Sequence, residues 1–184
     1  MLRKMLLGVV SLAMLSGCVY VQPTGDNQNN MIYQPHKTIA DPSLERSIKI
    51  GRIEGFSISA LTPITGSGSV FGRSSIELAL AHSLTNIRAL AYEPENRQYQ
   101  MDLRFISGDF YIENGQAHRE MVFEYSIAKI KGYKKLIYRD RIKSEAVLIC
   151  KDNCKLTDRA TLLRVTTERA VRNNFKIMID KLTR

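Results

Sequence analysis

The sequence predicts an α+β fold: a two-layer sandwich in the order β-α-β-β-β-α, with two helices on one face of a mainly antiparallel four-stranded sheet. Three observations predict it. Two segments, 74–91 and 158–182, repeat apolar residues at helical spacing, and four segments alternate apolar with polar residues. Turn signals at Asn114-Gly115 and Gly132-Tyr133 join the last three alternating segments as hairpins. Helices with one apolar stripe and a sheet with one apolar face bury these against each other as two layers.

Residues 1–17 stand apart from this domain. Arg3 and Lys4 precede a short apolar run from Met5 to Leu15, which is the composition of a secretory signal and too short for a permanent transmembrane helix. From residue 18 to 46 the chain is rich in Asn, Gln, Pro, Thr and Asp without sustained periodicity. It reads as a flexible tether of about 25 residues, with a root-mean-square span on the order of 30 Å. The folded part is expected over 47–184. With 44% hydrophobic residues and no further apolar run long enough to span a bilayer, it is a packed domain's worth of chain.

The domain opens on a strand from Ser47 to Ile58, in which Ile48 and Ile50 alternate with polar positions. A loop containing Pro63, Gly66, Gly68 and Gly72 follows. Ser74-Ser75-Ile76-Glu77 reads as a capping box, and Ile76, Leu80, Leu84, Ile87 and Ala91 line one helix face up to a stop at Pro94. Tyr99, Met101, Leu103 and Phe105 alternate as the second strand, and Met121, Phe123, Tyr125 and Ile127 as the third. A two-residue turn at Asn114-Gly115 would set apolar positions of one strand against polar positions of the other. A three-residue loop, Glu113 to Gly115, aligns Phe105 with Phe123 and Leu103 with Tyr125, so the sequence predicts that loop or else a bulge at Gly108. A two-residue loop at Gly132-Tyr133 sets Ile127 against Tyr138, Phe123 against Ile142 and Glu124 against Arg141. Asp140 opposite Tyr125 breaks the pattern, unless a bulge or the tyrosine hydroxyl accommodates it. Thr157-Asp158 caps a last helix of about 25 residues with Ala160, Leu163, Thr167, Ala170, Val171, Phe175, Met178 and Leu182 as its stripe.

Catalytic signals are weak. The Gly66, Gly68 and Gly72 spacing fits neither a dinucleotide fingerprint nor a P-loop and reads as a loop for gating or docking. His36, His82 and His118 stand apart from any nucleophile motif. The pair Asp102 and Asp109 and the group Glu113, Glu120 and Glu124 read as solvated strand faces and tips. No enzyme activity, cofactor or metal site is expected; the catalytic alternative is a hydrolase whose groups assemble only in space. Cys150 and Cys154 read as a short disulfide, because the histidines supply no zinc-ligand spacing and three intervening residues do not make a thioredoxin-like site.

Charge is the local feature that stands out. The net charge is +9, two units of it from Arg3 and Lys4, and between Lys129 and Lys155 basic residues outnumber Asp140, Glu145 and Asp152 by three to one. Lys135, Arg139, Arg141 and Lys143 alternate along one strand on the face away from the core and predict a basic stripe for anions or an acidic partner. Arg169, Arg172 and Lys176 form a second, weaker ridge, with Glu168 and Arg172 an i,i+4 pair.

Leu15-Ser16-Gly17-Cys18, at the end of the apolar run, resembles the lipobox of bacterial lipoproteins. That resemblance implies cleavage before Cys18, a diacylglyceryl thioether and an N-acyl chain there, and residence on a membrane. Val19 stands where the inner-membrane retention signal of enteric lipoproteins has Asp, which implies the inner leaflet of the outer membrane, facing the periplasm. The element order over 47–184 is similar to that of small envelope lipoproteins: the lipopolysaccharide-assembly lipoprotein, YajG-like lipoproteins and auxiliary lipoproteins of lipid-transporting ABC systems. The expectation is a non-catalytic accessory protein that binds a protein partner, or alternatively an anionic glycolipid or phospholipid through the basic stripe. Nucleic acid is disfavoured by location.

Overall fold

The computed structural model describes residues 28–56, 72–133, 135–150 and 159–184. Cys18, the glycines at 66 and 68, Cys154 and the Thr157-Asp158 cap lie outside the described residues. The elements are α1 (Gln28–Met31), β1 (Ile48–Glu54), α2 (Arg73–Asn86), β2 (Tyr99–Glu113), β3 (Gln116–Lys129), β4 (Lys135–Ile149) and α3 (Arg159–Leu182). The sheet order is β1-β2-β3-β4, with β1 parallel to β2 and the other neighbours antiparallel. α3 packs on β3 and β4, α2 on β1, and α1 against both long helices, which is the expected α+β arrangement with one covered sheet face.

The core is the covered face. Tyr99, Met101, Leu103 and Phe105 of β2 meet Met121, Phe123, Tyr125 and Ile127 of β3, and the α3 stripe from Leu163 through Val171, Phe175 and Met178 closes over them. Phe56, Phe105 and Phe175 surround Phe123 with ring centroids 5.5, 5.9 and 6.4 Å away. One polar thread crosses this apolar layer. Tyr125 Oη donates to Asn174 Oδ1 at 2.8 Å, and Asn174 Nδ2 donates to Ile142 O and Ser144 Oγ at 2.8 and 3.0 Å. Ser144 Oγ in turn donates to Ala170 O. These bonds satisfy the buried groups and tie α3 to β3 and β4 in one register.

The hairpins differ from expectation in an instructive way. β2 and β3 join through the two-residue turn Asn114-Gly115, both with positive φ (48° and 70°), because such a turn matches the strand twist. The parity conflict is resolved by a bulge between Phe105 and Ser107, so Phe105 still faces Phe123 and Leu103 faces Tyr125. The extra residue is Ile106 rather than Gly108. Gly108 has its own reason, since a Cβ there would lie 2.9 Å from Glu120 O and 3.1 Å from the Phe105 ring. β3 and β4 pair as expected from Phe123↔Ile142 to Ile127↔Tyr138, but the loop between Lys129 and Lys135 is longer than two residues, and a second bulge at Ile137 accommodates it. Asp140 takes Lys181 of α3 as its partner, with a weaker bond from Tyr138 Oη at 3.3 Å. Tyr125 turns instead to Asn174.

Two helix boundaries also move. α2 begins at Arg73 after Gly72, with no side-chain cap bond, so the Ser74 capping box does not form. It ends at Asn86 rather than near Pro94: Ile87 closes it, Arg88 takes a left-handed φ of 60°, and Leu90 bridges Ile48. The largest difference is the segment 28–46. It packs on the domain, with Met31, Ile39 and Leu44 buried. Tyr33 N–H donates to Ser83 Oγ, Asn86 Nδ2 to Tyr33 O, Ile39 N–H to Ile87 O and Ala40 N–H to Leu182 O. The apolar residues Met31, Ile32 and Tyr33 bind it in the groove between α2 and α3.

Candidate functional site

The sheet face that no described element covers carries the predicted stripe, and register decides what each cation meets. Successive rows across β2, β3 and β4 are Asp102-Ser126-Arg139, Arg104-Glu124-Arg141, Ser107-Val122-Lys143, Asp109-Glu120-Glu145 and Tyr111-His118-Val147. Arg139 Nη2 and Arg141 Nε each hold one oxygen of Glu124 at 2.9 Å, and Lys143 Nζ holds Glu120 at 2.6 Å. The hydrogen bonds from Arg141 and Arg139 keep the Glu124 carboxyl below the usual range, and Glu120 raises the Lys143 amine. Lys135 leaves the stripe. The bulge at Ile137 sets Lys135 opposite Lys129 and puts Leu136 on the outer face. What alternation alone reads as a row of four cations is three cations interleaved with two acids.

Arg52 extends the network on β1, 3.5 Å from Asp102 and 3.6 Å from Glu54. Between these groups lies a shallow depression of about 280 Å³ lined by Arg52, Arg104, Arg139, Glu54, Asp102 and Glu124, with Leu136 on its rim. An incoming anion would compete with Glu124 for two guanidinium groups. A surface of alternating sign fits a partner that offers both signs.

Farther along the face, His118 stacks on Tyr111 with centroids 4.7 Å apart, and its Nδ1 is 3.0 Å from Glu145 Oε1. Val147 and Ile149 are exposed beside it, so this end is more apolar than the stripe. Ser83, next to His82 in sequence, is buried; its Oγ donates to Ala79 O and accepts from Tyr33 N–H. It serves to hold the N-terminal arm. Among the described residues no three His, Cys, Asp or Glu side chains are grouped to hold a metal ion. Cys150 follows β4, its N–H donating to Gly115 O at 2.8 Å, while its expected partner Cys154 is outside the described residues.

Two features escape sequence reading. Arg119 points to the core face, fully buried, where desolvation pushes its pKa down to about 10 against the pull of Asp109; Arg159 lies over the neighbouring Phe110 ring at 5.9 Å. Only strand parity, counted from Tyr125, reveals that it faces inward. The second is a depression of about 450 Å³ at the start of the sheet, lined by Arg46, Thr85, Arg88, Leu90, Tyr92, Glu93 and Asn96. Arg46 and Arg88 are both left-handed, with φ of 49° and 60°, and Arg46 N–H donates to Arg88 O at 2.7 Å. Their sequence positions, one in an expected tether and one in an expected helix, hide the pairing.

No family model matches the chain. No curated protein matches it either. Solved structures do share its fold. A candidate lipoprotein from Caulobacter crescentus CB15 matches with a TM-score of 0.50 and 11% identity, over 77% of this chain and 90% of its own. The hypothetical protein CT253 from Chlamydia trachomatis matches with 0.50 and 9%, over 74% and 95%. Protein XCC0632 from Xanthomonas campestris, of family DUF330, matches with 0.51 and 9%, over 82% and 94%. At these identities the likeness establishes the fold, an α+β sandwich shared with these three proteins.

Proposed function

We propose that the chain is a lipid-anchored accessory protein of the bacterial envelope, attached through Cys18 to the inner leaflet of the outer membrane, facing the periplasm, and acting by binding a protein partner without catalysis. The observation that carries the reading is Leu15-Ser16-Gly17-Cys18 placed directly after a charged start and a short apolar run. The fold likeness to a candidate lipoprotein supports it. On this reading Cys150 and Cys154 form a disulfide in the oxidising periplasm, and the N-acyl group on Cys18 is palmitate or a similar chain.

The partner surface is the uncovered sheet face. Its cations and acids are held in fixed cross-strand pairs, so it offers a preorganised pattern of charge that a complementary protein surface meets with little ordering cost. A second reading, binding of an anionic glycolipid or phospholipid, is favoured by the three arginines around the depression at Arg52, Arg104 and Arg139.

Photo-crosslinking in intact cells separates the two, with the crosslinker placed at Arg139, Arg141 or Lys143 and at the exposed Leu78 of α2 for comparison. A single sharp higher-mass band from the sheet positions supports the protein partner. A ladder of glycolipid adducts supports the second reading, and equal labelling at Leu78 contradicts both.

A further inference from the structure

A second group of exposed cations lies on the other side of the molecule from the predicted stripe, on the solvent face of α3. Arg169, Arg172 and Lys176 form an exposed ridge on α3 at i, i+3 and i+7. The expected Glu168–Arg172 pair does not form. Glu168 is buried, takes Arg164 at 3.0 Å, and accepts from Asn30 Nδ2 at 2.8 Å. Arg169 and Arg172 therefore have no ion pair among the described residues, whereas Lys176 shares Asp180 at 2.8 Å.

The N-terminal arm emerges beside this ridge. Asn30 is bonded to Glu168, and the Tyr33 ring lies 5.8 Å from Lys176 Nζ with its hydroxyl 3.3 Å from Asp180. Gln28 thus sits on the outer surface of the helix layer, and nine residues separate it from Cys18. Fully extended, that stretch spans at most about 35 Å. Carrying the anchor around the helix layer and the sheet, roughly 10 Å each, would use most of that length.

From the place where the chain emerges, the short connection and the unpaired charge, we infer that the ridge Arg169, Arg172 and Lys176 rests on an anionic phospholipid surface. The uncovered sheet face then points away from the membrane into the aqueous compartment. This rests on the lipid-anchor reading, and it makes the anchor and the ridge two separate membrane signals, each reinforcing the other.

Two measurements test it. The mature chain carrying Cys18→Ser is floated with phosphatidylglycerol/phosphatidylcholine vesicles and with phosphatidylcholine alone. Binding only to the anionic vesicles is expected. Arg169→Gln with Arg172→Gln should weaken it about twenty-fivefold, since each cation near the surface contributes about fivefold, while Arg139→Gln with Arg141→Gln leaves it unchanged. No preference for anionic vesicles, or equal loss in both double variants, overturns the proposal. The lipidated wild-type chain on the same vesicles is then treated with a water-soluble amine reagent, and the modified lysines are located by mass spectrometry. Protection of Lys176 with free reaction at Lys143 supports the orientation. Equal reaction of both on chain that floats overturns the orientation while the anchor stands. Failure of the wild-type chain to float with neutral vesicles overturns the anchor, and the Cys18→Ser chain still reads the ridge. A ridge that crosslinks to a protein and ignores vesicles is a protein interface, contrary to the proposal.

Discussion

Asn174 shows how one side chain fixes the relation of helix to sheet. It is fully buried and uses both ends of its amide, accepting from Tyr125 and donating to Ile142 O and Ser144 Oγ. Asn174→Ala removes three bonds and strands buried groups, so a loss of roughly 2–4 kcal/mol is expected, against about 1–2 kcal/mol for Tyr125→Phe. Urea unfolding of both variants checks the order, which reverses if the thread is unimportant. The carboxylates give a pH signature. Asp140, bound by Lys181, and Glu124, bound by Arg141 and Arg139, are both held below their ordinary values. A depressed carboxylate stabilises the fold above its unfolded pKa and loses that contribution as pH falls through the folded value. Stability should therefore decline below about pH 4, and Asp140→Asn should flatten the decline measured by thermal unfolding. Register foretells Glu124 opposite Arg141, and the structure pairs them, whereas the bonds to Asn174 and the Asp140–Lys181 pair are not legible one residue at a time. Asp140 looked out of place opposite Tyr125 because its partner lies on the last helix, distant in sequence.

At the scale of elements, periodicity was a good guide and boundaries were not. Helical spacing and alternation locate α2, α3 and the four strands, and the α3 stripe from Leu163 to Leu182 is buried as expected. Turn chemistry outweighs strand parity: Asn114-Gly115 forms its preferred two-residue turn, and the strand absorbs the mismatch through a bulge at Ile106. The bulge at Ile137 likewise moved Lys135 off the stripe, because one extra residue reverses every side chain beyond it. This makes Ile106 a register element. Its deletion should force either the turn or the Phe105–Phe123 pairing to give way, seen as loss of hydrogen-exchange protection across β2 and β3. Unchanged protection would show that the bulge is dispensable. Gly115→Ala places a Cβ at φ 70° and should cost about 1 kcal/mol.

For the molecule as a whole, the arm 28–46 changes what the domain is. Composition marked it as a tether because polar residues outnumber the few apolar ones that dock, and a docking segment without periodicity carries no pattern to read. Met31 is fully buried between the long helices, and Met31→Ala should destabilise by about 2–4 kcal/mol; a free tether would show no change by thermal unfolding. Docking leaves nine residues between Gln28 and Cys18, so that under the proposed anchor the domain has a membrane-side surface and an opposite one. The helix layer carries Arg169 and Arg172, which have no ion pair among the described residues, beside the docked arm, and the opposite sheet face carries a paired network. The division of labour proposed here, with one face toward lipid and the other toward a partner, depends on the anchor.

Mass spectrometry of the mature N-terminus, on protein extracted from the envelope fraction, decides whether the chain is anchored through Cys18. The expected result is a chain beginning at Cys18 with the added mass of a diacylglyceryl group and an N-acyl chain, lost in Cys18→Ala. A chain that begins elsewhere, or carries an unmodified Cys18, would contradict the lipid-anchored reading.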